Sequence, residues 1–490
     1  LNLYKKLAIQ TIIYSIGLIF PKIVNYFFLK IFTEFLKREE FSLYTDMYSL
    51  SFLIIGFLSL GLENTYFRFI YKKNYNKKVI FSTGIIMQLL ITSIFFIIST
   101  FLIKEISDIS GYKNHPEYLS MFFLIIFFDT ICILPMAWLR VNNKAIYYAS
   151  VNVINILIQS FFIIYMFYCY KNNLFCYKSY FYVFNFVNSI TDKTGSIFFS
   201  NVISSVTNLF LVFPIFLKEV RIKKFNKILA KKMLNYGIPI MLGTIAFSIN
   251  ENMDKVLIKR WISDEINGAY SACYKIASFM SLYVRIFRLG VEPFFFKKSL
   301  DSNARYYYEE ITYIFILLGL IFYVLICGNL SIFMKLLIDK KYHIAISIIP
   351  IIMMGNLFLG IYNNLSISYK IIDKPIIGTY ISLIGVLITF LFNIIFIINI
   401  SNKNFMIPAW GTFTSYGCML FTLFIWGKGN LLNFCIKKTK NIIFYFIFSI
   451  FLVFITNKNK LELNIILQFL YFLTIFFLEK RRFINLIKIK

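Results

Sequence analysis

The sequence predicts an all-α integral membrane protein of about fourteen transmembrane helices. Three observations lead there. Hydrophobic residues make up 59% of the 490 and charged residues 15%, with a mean hydropathy of +0.72; so little charge cannot cover an aqueous surface. Apolar runs of roughly twenty residues, the length that crosses a bilayer core, recur along the whole chain. The basic excess behind the net charge of +28 sits in short clusters between those runs, as in loops held at a cytoplasmic membrane face.

In order, the runs cover about 7–29, 43–66, 79–103, 117–139, 146–169, 196–217, 234–258, 267–289, 310–333, 343–367, 375–400, 405–426, 440–456 and 463–478. The first is too long, and lacks the small-residue cleavage site, for a removable signal peptide. Leu1 where Met is expected suggests an alternative start codon or a trimmed N-terminus. With the N-terminus inside, the inner loops include 68–78, 218–232, 428–440 and the tail 480–490, and they hold the larger share of Lys and Arg. Both termini are then cytoplasmic. The most basic loop carries Lys218, Arg221, Lys223, Lys224, Lys227, Lys231 and Lys232 and divides the chain near its middle. It separates an N-terminal lobe, 1–217, from a C-terminal lobe, 234–426, each of six helices. Residues 427–490 form a C-terminal helix pair and basic tail. Repeated lobes are common in transporters, although no sequence repeat relates these two.

A charge in a bilayer core is costly and usually faces a cavity or a partner. The interiors of the third, fifth and sixth runs, and of the last six, are essentially free of ionisable residues. Run one carries Pro21, Lys22 and Asn25; Lys22 and Asn25 share a face, and Pro21 kinks the helix. Run two has Asp46 near its outer end and Glu63, Asn64 and Arg68 near its inner end. Run four has Asp129 close to mid-membrane, then Pro135, and Arg140 at the inner edge. Run seven has Asn250, Glu251 and Asp254. Run eight has Lys275, then Arg285, Arg288 and Glu292 along one helical stripe.

Two readings of these residues stand side by side. Lys22, Asp129 and Lys275 either pair between helices or line a cavity. Glu63, Arg68, Arg140, Arg285, Arg288 and Glu292 either snorkel to headgroups or line the cavity's inner mouth. Asp254, beside Lys255, is either a helix end or a cavity carboxylate. Lys and Arg in a low-dielectric cavity attract phosphate, and Arg can hold it bidentately. Gln88, Gln159, Asn208, Asn250 and Asn356 could contact a sugar or bond between helices.

Several classes are disfavoured. No basic stretch belongs to a folded soluble module, which argues against nucleic acid as a partner. Abundant Ile, Phe, Asn, Lys and Tyr share AT-rich codons, so part of the charge is a passenger of composition. Cys132, Cys273, Cys327 and Cys418 read as small buried hydrophobes; Cys169 and Cys176 flank one outer loop and could pair. With only His115 and His343, no His-based metal site is expected, and no cofactor is called for. The longest outer loop, about 170–195, has Asp192 but no Glu, His or Arg, which disfavours a membrane polymerase, ligase or acyltransferase.

Several stretches resemble a known family. Gly61-Leu62-Glu63-Asn64-Thr65-Tyr66-Phe67-Arg68-Phe69 closes a segment, 5–70, that resembles the opening of Wzx-type polysaccharide (O-antigen) flippases, particularly versions from the Bacteroidetes. There the motif reads Gly-Met-Glu-Thr-(Ala/Gly)-Phe-Phe-Arg-Phe. Residues 233–262 resemble the family's seventh helix, with Gly237-Ile238-Pro239 at the start and a later Asp254. Residues 268–298 match its eighth-helix pattern through Gly268, Tyr270, Ser271, Tyr274, Lys275, Phe287, Arg288, Glu292, Pro293 and Phe294. The later runs are similar in hydropathy and count alone.

The resemblance implies the multidrug/oligosaccharidyl-lipid/polysaccharide exporter fold. That fold has two six-helix lobes about a central cavity lined mainly by helices one, two, seven and eight. It implies a flippase moving an undecaprenyl-diphosphate-linked oligosaccharide across a bacterial inner membrane, for lipopolysaccharide or other surface polysaccharide, without covalent chemistry. Arg68, Arg140, Arg285 and Arg288 would lie near the cytoplasmic mouth, with Lys22, Asn25 and Lys275 deeper. Asp129 and Asp254 would be the carboxylates coupled to H+ or Na+, and Glu63 and Glu292 would balance charge. Membrane lipids and other polysaccharide-assembly membrane proteins are the implied partners, and lipid II is the rival cargo. The family usually has Arg where this chain has Lys22, which keeps the cation but loses the guanidinium fork.

Overall fold

The computed structural model describes residues 2–70, 75–171, 192–298, 304–366, 376–398, 404–426, 436–456 and 461–488, and the regular elements among them are all helical. Apolar solvent dictates this, because within lipid every backbone N–H and C=O must find its partner inside the segment. The apolar runs all fall on helices. Eleven helices among the described residues are long and apolar enough to cross a membrane, and Lys440–Thr456 is a shorter apolar one. Two runs need comment. The one near 405–426 is the helix Met406–Trp426, whose Thr412, Thr414, Ser415 and two glycines dilute its apolar character. The one near 267–289 is divided at Ser278, whose hydroxyl donates back to the Lys275 carbonyl at 2.7 Å, a bond that competes with the helical ladder.

By packing, the chain forms two compact units, Leu1–Gly268 and Ala269–Lys490. The first contains α1 (Asn2–Phe35), α2 (Arg38–Leu58), α3 (Leu62–Ile70), α4 (Lys77–Phe101), α5 (Ile103–Ser110), α6 (Pro116–Val141), α7 (Ala145–Lys171), α8 (Lys193–Glu219), α9 (Lys227–Trp261) and the start of α10 (Asp264–Ala277). Helix starts follow local chemistry: Asn76, Asp192 and Asn226 accept backbone N–H bonds from Lys78, Gly195 and Leu229, the side-chain caps that satisfy otherwise orphaned donors. In this unit α1 packs on α7, α7 and α6 on α8, α4 on α6, and both α2 and α3 on α9. Leu62, Tyr66, Phe81, Leu134, Leu139, Leu229 and Met233 close one shared core.

The α2–α3 corner depends on glycine. Gly61 has φ of +62°, and a Cβ on it would run into the Gly237 carbonyl; a Cβ on Gly237 would meet the Leu60 carbonyl in turn. Two backbones therefore touch where α2 meets α9, and only glycine allows both the left-handed turn and the approach.

The basic segment between α8 and α9 is short and anchored. Ser82 donates to the Glu219 carbonyl and receives the Arg221 N–H at 3.0 Å, and Thr83 receives the Asn226 N–H.

The second unit holds the remainder of α10, α11 (Phe279–Lys298), α12 (Ala304–Cys327), α13 (Leu330–Leu337), α14 (Ile348–Leu365), α15 (Ile376–Ile398), α16 (Met406–Trp426), α17 (Ile436–Thr456) and α18 (Leu461–Lys488). Here α16 packs on α14 and α15, α12 on α14, and α17 on α12 and α18. Glu479, just beyond the last apolar run, is buried, and its carboxylate accepts Tyr313 at 2.6 Å and Tyr445 at 2.9 Å. One carboxylate thus ties α18 to α12 and α17. Glu479→Ala would remove the carboxylate acceptor of two buried hydroxyls, at roughly 1–3 kcal/mol each. It is expected to lower the thermal unfolding midpoint of the detergent-solubilised protein by several degrees, whereas Tyr445→Phe alone should cost less. An unchanged midpoint for Glu479→Ala would refute the tie.

Candidate functional site

Polar side chains in the first unit gather at three levels along α2 and α9. At the α3 end, Arg140 from α6 pairs with Glu63 from α3 at 2.8 Å, and its guanidinium lies 4.9 Å from the Phe67 ring centre. Arg68 lies 4.1 Å over the Tyr236 ring of α9, an attraction between a cation and the negative face of the ring. Glu63, Arg68 and Arg140 were selected from sequence, and the structure places all three at one end of the unit.

At the middle level the half-buried Asp129 of α6 has the Ser205 hydroxyl of α8 as a neighbour. Nearby a chain of neutral groups crosses three helices: the Gln159 amide donates to Asn201, and the Asn201 amide donates to the Tyr48 hydroxyl. Ser204 donates to Asn155 Oδ1 at 2.5 Å. Among the described residues Asp129 forms no ion pair. Gln88 donates to the Leu58 carbonyl at 2.7 Å and Asn356 to the Ala277 carbonyl at 3.4 Å, so these two amides bond between helices.

The third level, at the N-terminal end of α2, was not assembled from sequence. Asp46 is fully buried there. Its carboxylate accepts Tyr112 at 2.6 Å and both arms of Arg260, at 2.9 and 3.4 Å. Lys259 lies 3.4 Å away and donates to the Tyr112 oxygen at 2.9 Å. Burial, then the Asp46 carboxylate, pushes the Tyr112 hydroxyl well above its ordinary range, so it remains a donor. Beside this group Ser42 donates to Asp264 at 2.8 Å and receives the Asn267 amide at 2.8 Å, and Arg38 pairs with Glu265 at 3.3 Å. Gly268 lies so near the Arg38 backbone that a Cβ would meet its carbonyl. One sequence signal could have drawn attention to this level: with the N-terminus inside, as the loop charges suggest, the Lys259-Arg260 pair would end a run on the side where basic residues are normally sparse.

The remaining selected residues are placed as follows. Lys22 is half-buried and Asn25 exposed on α1. Asp254 is buried on α9 and pairs with its neighbour Lys255 at 3.2 Å. In the second unit Lys275 and Arg288 are half-buried and Arg285 is exposed. The side chains of Glu292 and Cys169, and the residue Cys176, lie outside those described. Among the described residues no group of three or more His, Cys, Asp or Glu could hold a metal.

The family described as polysaccharide biosynthesis protein matches residues 7–297. Among solved structures, a lipid II flippase, MurJ, in an inward closed conformation aligns with a TM-score of 0.70 at 18% identity, over 96% of this chain and all of that one. A multidrug resistance MATE family transporter of the MOP superfamily, inward-facing, aligns at 0.58 and 13% identity, over 86% of this chain and 96% of that one. VcmN, a MATE transporter of Vibrio cholerae, aligns at 0.55 and 10% identity, over 91% and 98%. These likenesses establish the fold. No curated protein sequence matches this chain, and the resemblance to Bacteroidetes versions has no counterpart in these matches.

Proposed function

Since this chain belongs to the polysaccharide biosynthesis protein family, we propose that it is a flippase for an undecaprenyl-diphosphate-linked oligosaccharide in a bacterial inner membrane. The observation that carries the reading is the set of cations and carboxylates held along α2, α6 and α9, in a fold like that of a lipid II flippase. Charge in a membrane helix is expensive and is retained where it serves a polar cargo.

In this reading the two lobes, 1–217 and 234–426, rock about a central cavity, with the C-terminal helix pair outside that core. Arg68, Arg140, Arg285 and Arg288 draw the diphosphate to the cytoplasmic mouth. Lys22 and Lys275 hold it deeper, with Asn25 and the neutral amides meeting sugar hydroxyls. Glu63 and Glu292 balance the cations while the cavity is empty. The lipid tail stays in the bilayer while the headgroup crosses, so alternating access suffices and no bond is made or broken. A membrane potential or a gradient of H+ or Na+ drives the cycle. Asp129 is favoured over Asp254 as the coupled carboxylate, because Asp254 is held by Lys255 whereas Asp129 forms no ion pair among the described residues.

The test is transbilayer movement in proteoliposomes, using a fluorescent undecaprenyl-diphosphate oligosaccharide with and without an imposed gradient. Protein-dependent flipping of the oligosaccharide lipid supports the assignment. The likeness to a lipid II flippase favours one rival cargo, so lipid II is run in parallel; faster movement of lipid II would replace the polysaccharide reading. Movement of neither lipid by folded protein under any gradient would overturn the flippase reading.

A further inference from the structure

The geometry points to an anion site, built from Lys259, Arg260 and Tyr112, that accepts a phosphate or diphosphate group and is occupied in this conformation by the protein's own Asp46 carboxylate. Lys259 and Arg260 come from the last turn of α9 and Tyr112 from the connection between α5 and α6. Asp46 comes from α2. A forked guanidinium, an ammonium and a hydroxyl converge on one oxyanion. That donor set holds a phosphate, because planar bidentate bonds and a point cation match its equatorial oxygens.

The neighbouring acids are otherwise engaged. Asp264 takes the Ser42 hydroxyl and Glu265 faces Arg38, so Asp46 alone among the nearby carboxylates touches both cations among the described residues. Arg260 retains 31% of its side-chain exposure and Lys259 retains 7%, so the guanidinium is the edge from which an anion would enter. The nearly covered Lys259 side chain and the partly exposed Arg260 cannot lose their shared carboxylate without cost. When α2 withdraws, the site must take another anion or water. It differs from the cations chosen from sequence, which lie elsewhere along the helices. The timing of its opening rests on the flippase reading, in which it would receive the diphosphate after the crossing; its anion chemistry rests on the donors alone.

The test uses the full-length protein in phosphate-free detergent and Asp46→Asn, which keeps the shape and removes the internal anion. Asp46→Asn is expected to unfold at lower temperature than the native protein. Inorganic pyrophosphate should restore the midpoint at a concentration at least tenfold below any effect on the native protein, beyond sodium chloride at matched ionic strength. Adding Arg260→Gln should abolish the restoration. Vesicles separate the sources. Restoration by pyrophosphate in phosphatidylcholine vesicles assigns a soluble or headgroup diphosphate, and restoration only in phosphatidylglycerol vesicles assigns a lipid phosphate. No restoration by either, or equal restoration without Arg260, overturns the site. Should Asp46→Asn not fold, Ser42→Cys in the otherwise native chain replaces it. Pyrophosphate should then speed maleimide labelling there severalfold, and Arg260→Gln should remove that effect; an unchanged rate again overturns the site. Flipping without any pyrophosphate response would sink this site alone, while a response without flipping would sink the transport reading alone.

Discussion

Oxidation of a Ser42→Cys/Asn267→Cys protein is expected to bring flipping down to the protein-free background, and reduction to restore it. Ser42 on α2 and Asn267 on α10 already touch through a 2.8 Å hydrogen bond and are both fully buried, so paired thiols there are close to disulfide reach. The bond would staple α2 to α10 beside the Asp46 group. Under the alternating access proposed above, with this end outermost, these helices have to separate, because a headgroup cannot leave through packed backbone. The effect is therefore all or none, limited only by the fraction cross-linked. Each single-cysteine variant should be insensitive to oxidant. Flipping at the native rate by protein proven by mass to be fully cross-linked would show that the two helices stay together during transport.

Lys22→Ala is expected to reduce flipping of the diphosphate-linked oligosaccharide by at least about a hundredfold, with the protein still inserted and folded. The figure corresponds to losing one charge-assisted contact of about 3 kcal/mol. An ammonium beside Pro21 in the middle of a long apolar helix has no reason to persist unless a partner or an anionic cargo repays its desolvation. A structural role and a cargo role separate in one comparison. Lys22→Arg keeps the cation and adds the fork, and should retain or improve flipping, whereas Lys22→Met restores packing without charge and should match Ala. If Lys22→Ala flips normally in vesicles and complements a flippase-deficient strain, the diphosphate is held elsewhere.

Much of the fold was legible in the sequence for a plain physical reason. Lipid forces each apolar run to satisfy its own backbone, so hydropathy and length locate helices without knowledge of their neighbours. The runs found by counting are helices, and Pro21, Pro135, Pro214 and Pro239 lie inside helices as membrane proteins tolerate. Pairing across the chain was another matter. Glu63 and Arg140 were each marked by their cost in a membrane, but only the packing of α3 against α6 makes them an ion pair. Glu479 follows an apolar run, where hydropathy alone does not set it apart, yet two tyrosines from other helices bond its carboxylate.

The sequence by itself determined that this chain spans a membrane many times and that its charges concentrate in a few helices. Those properties are additive along the chain: residue polarity, period and spacing suffice to read them. Tertiary structure alone decided that Asp46, Tyr112, Lys259 and Arg260 meet, across a sequence separation of 214 residues between Asp46 and Arg260. It also decided that Gly61 and Gly237 let α2 and α9 touch backbone to backbone. Such meetings depend on which helix faces which and at what height. Neither is set by hydropathy, which is the same on every lipid-facing side, so both wait for the side chains to pack.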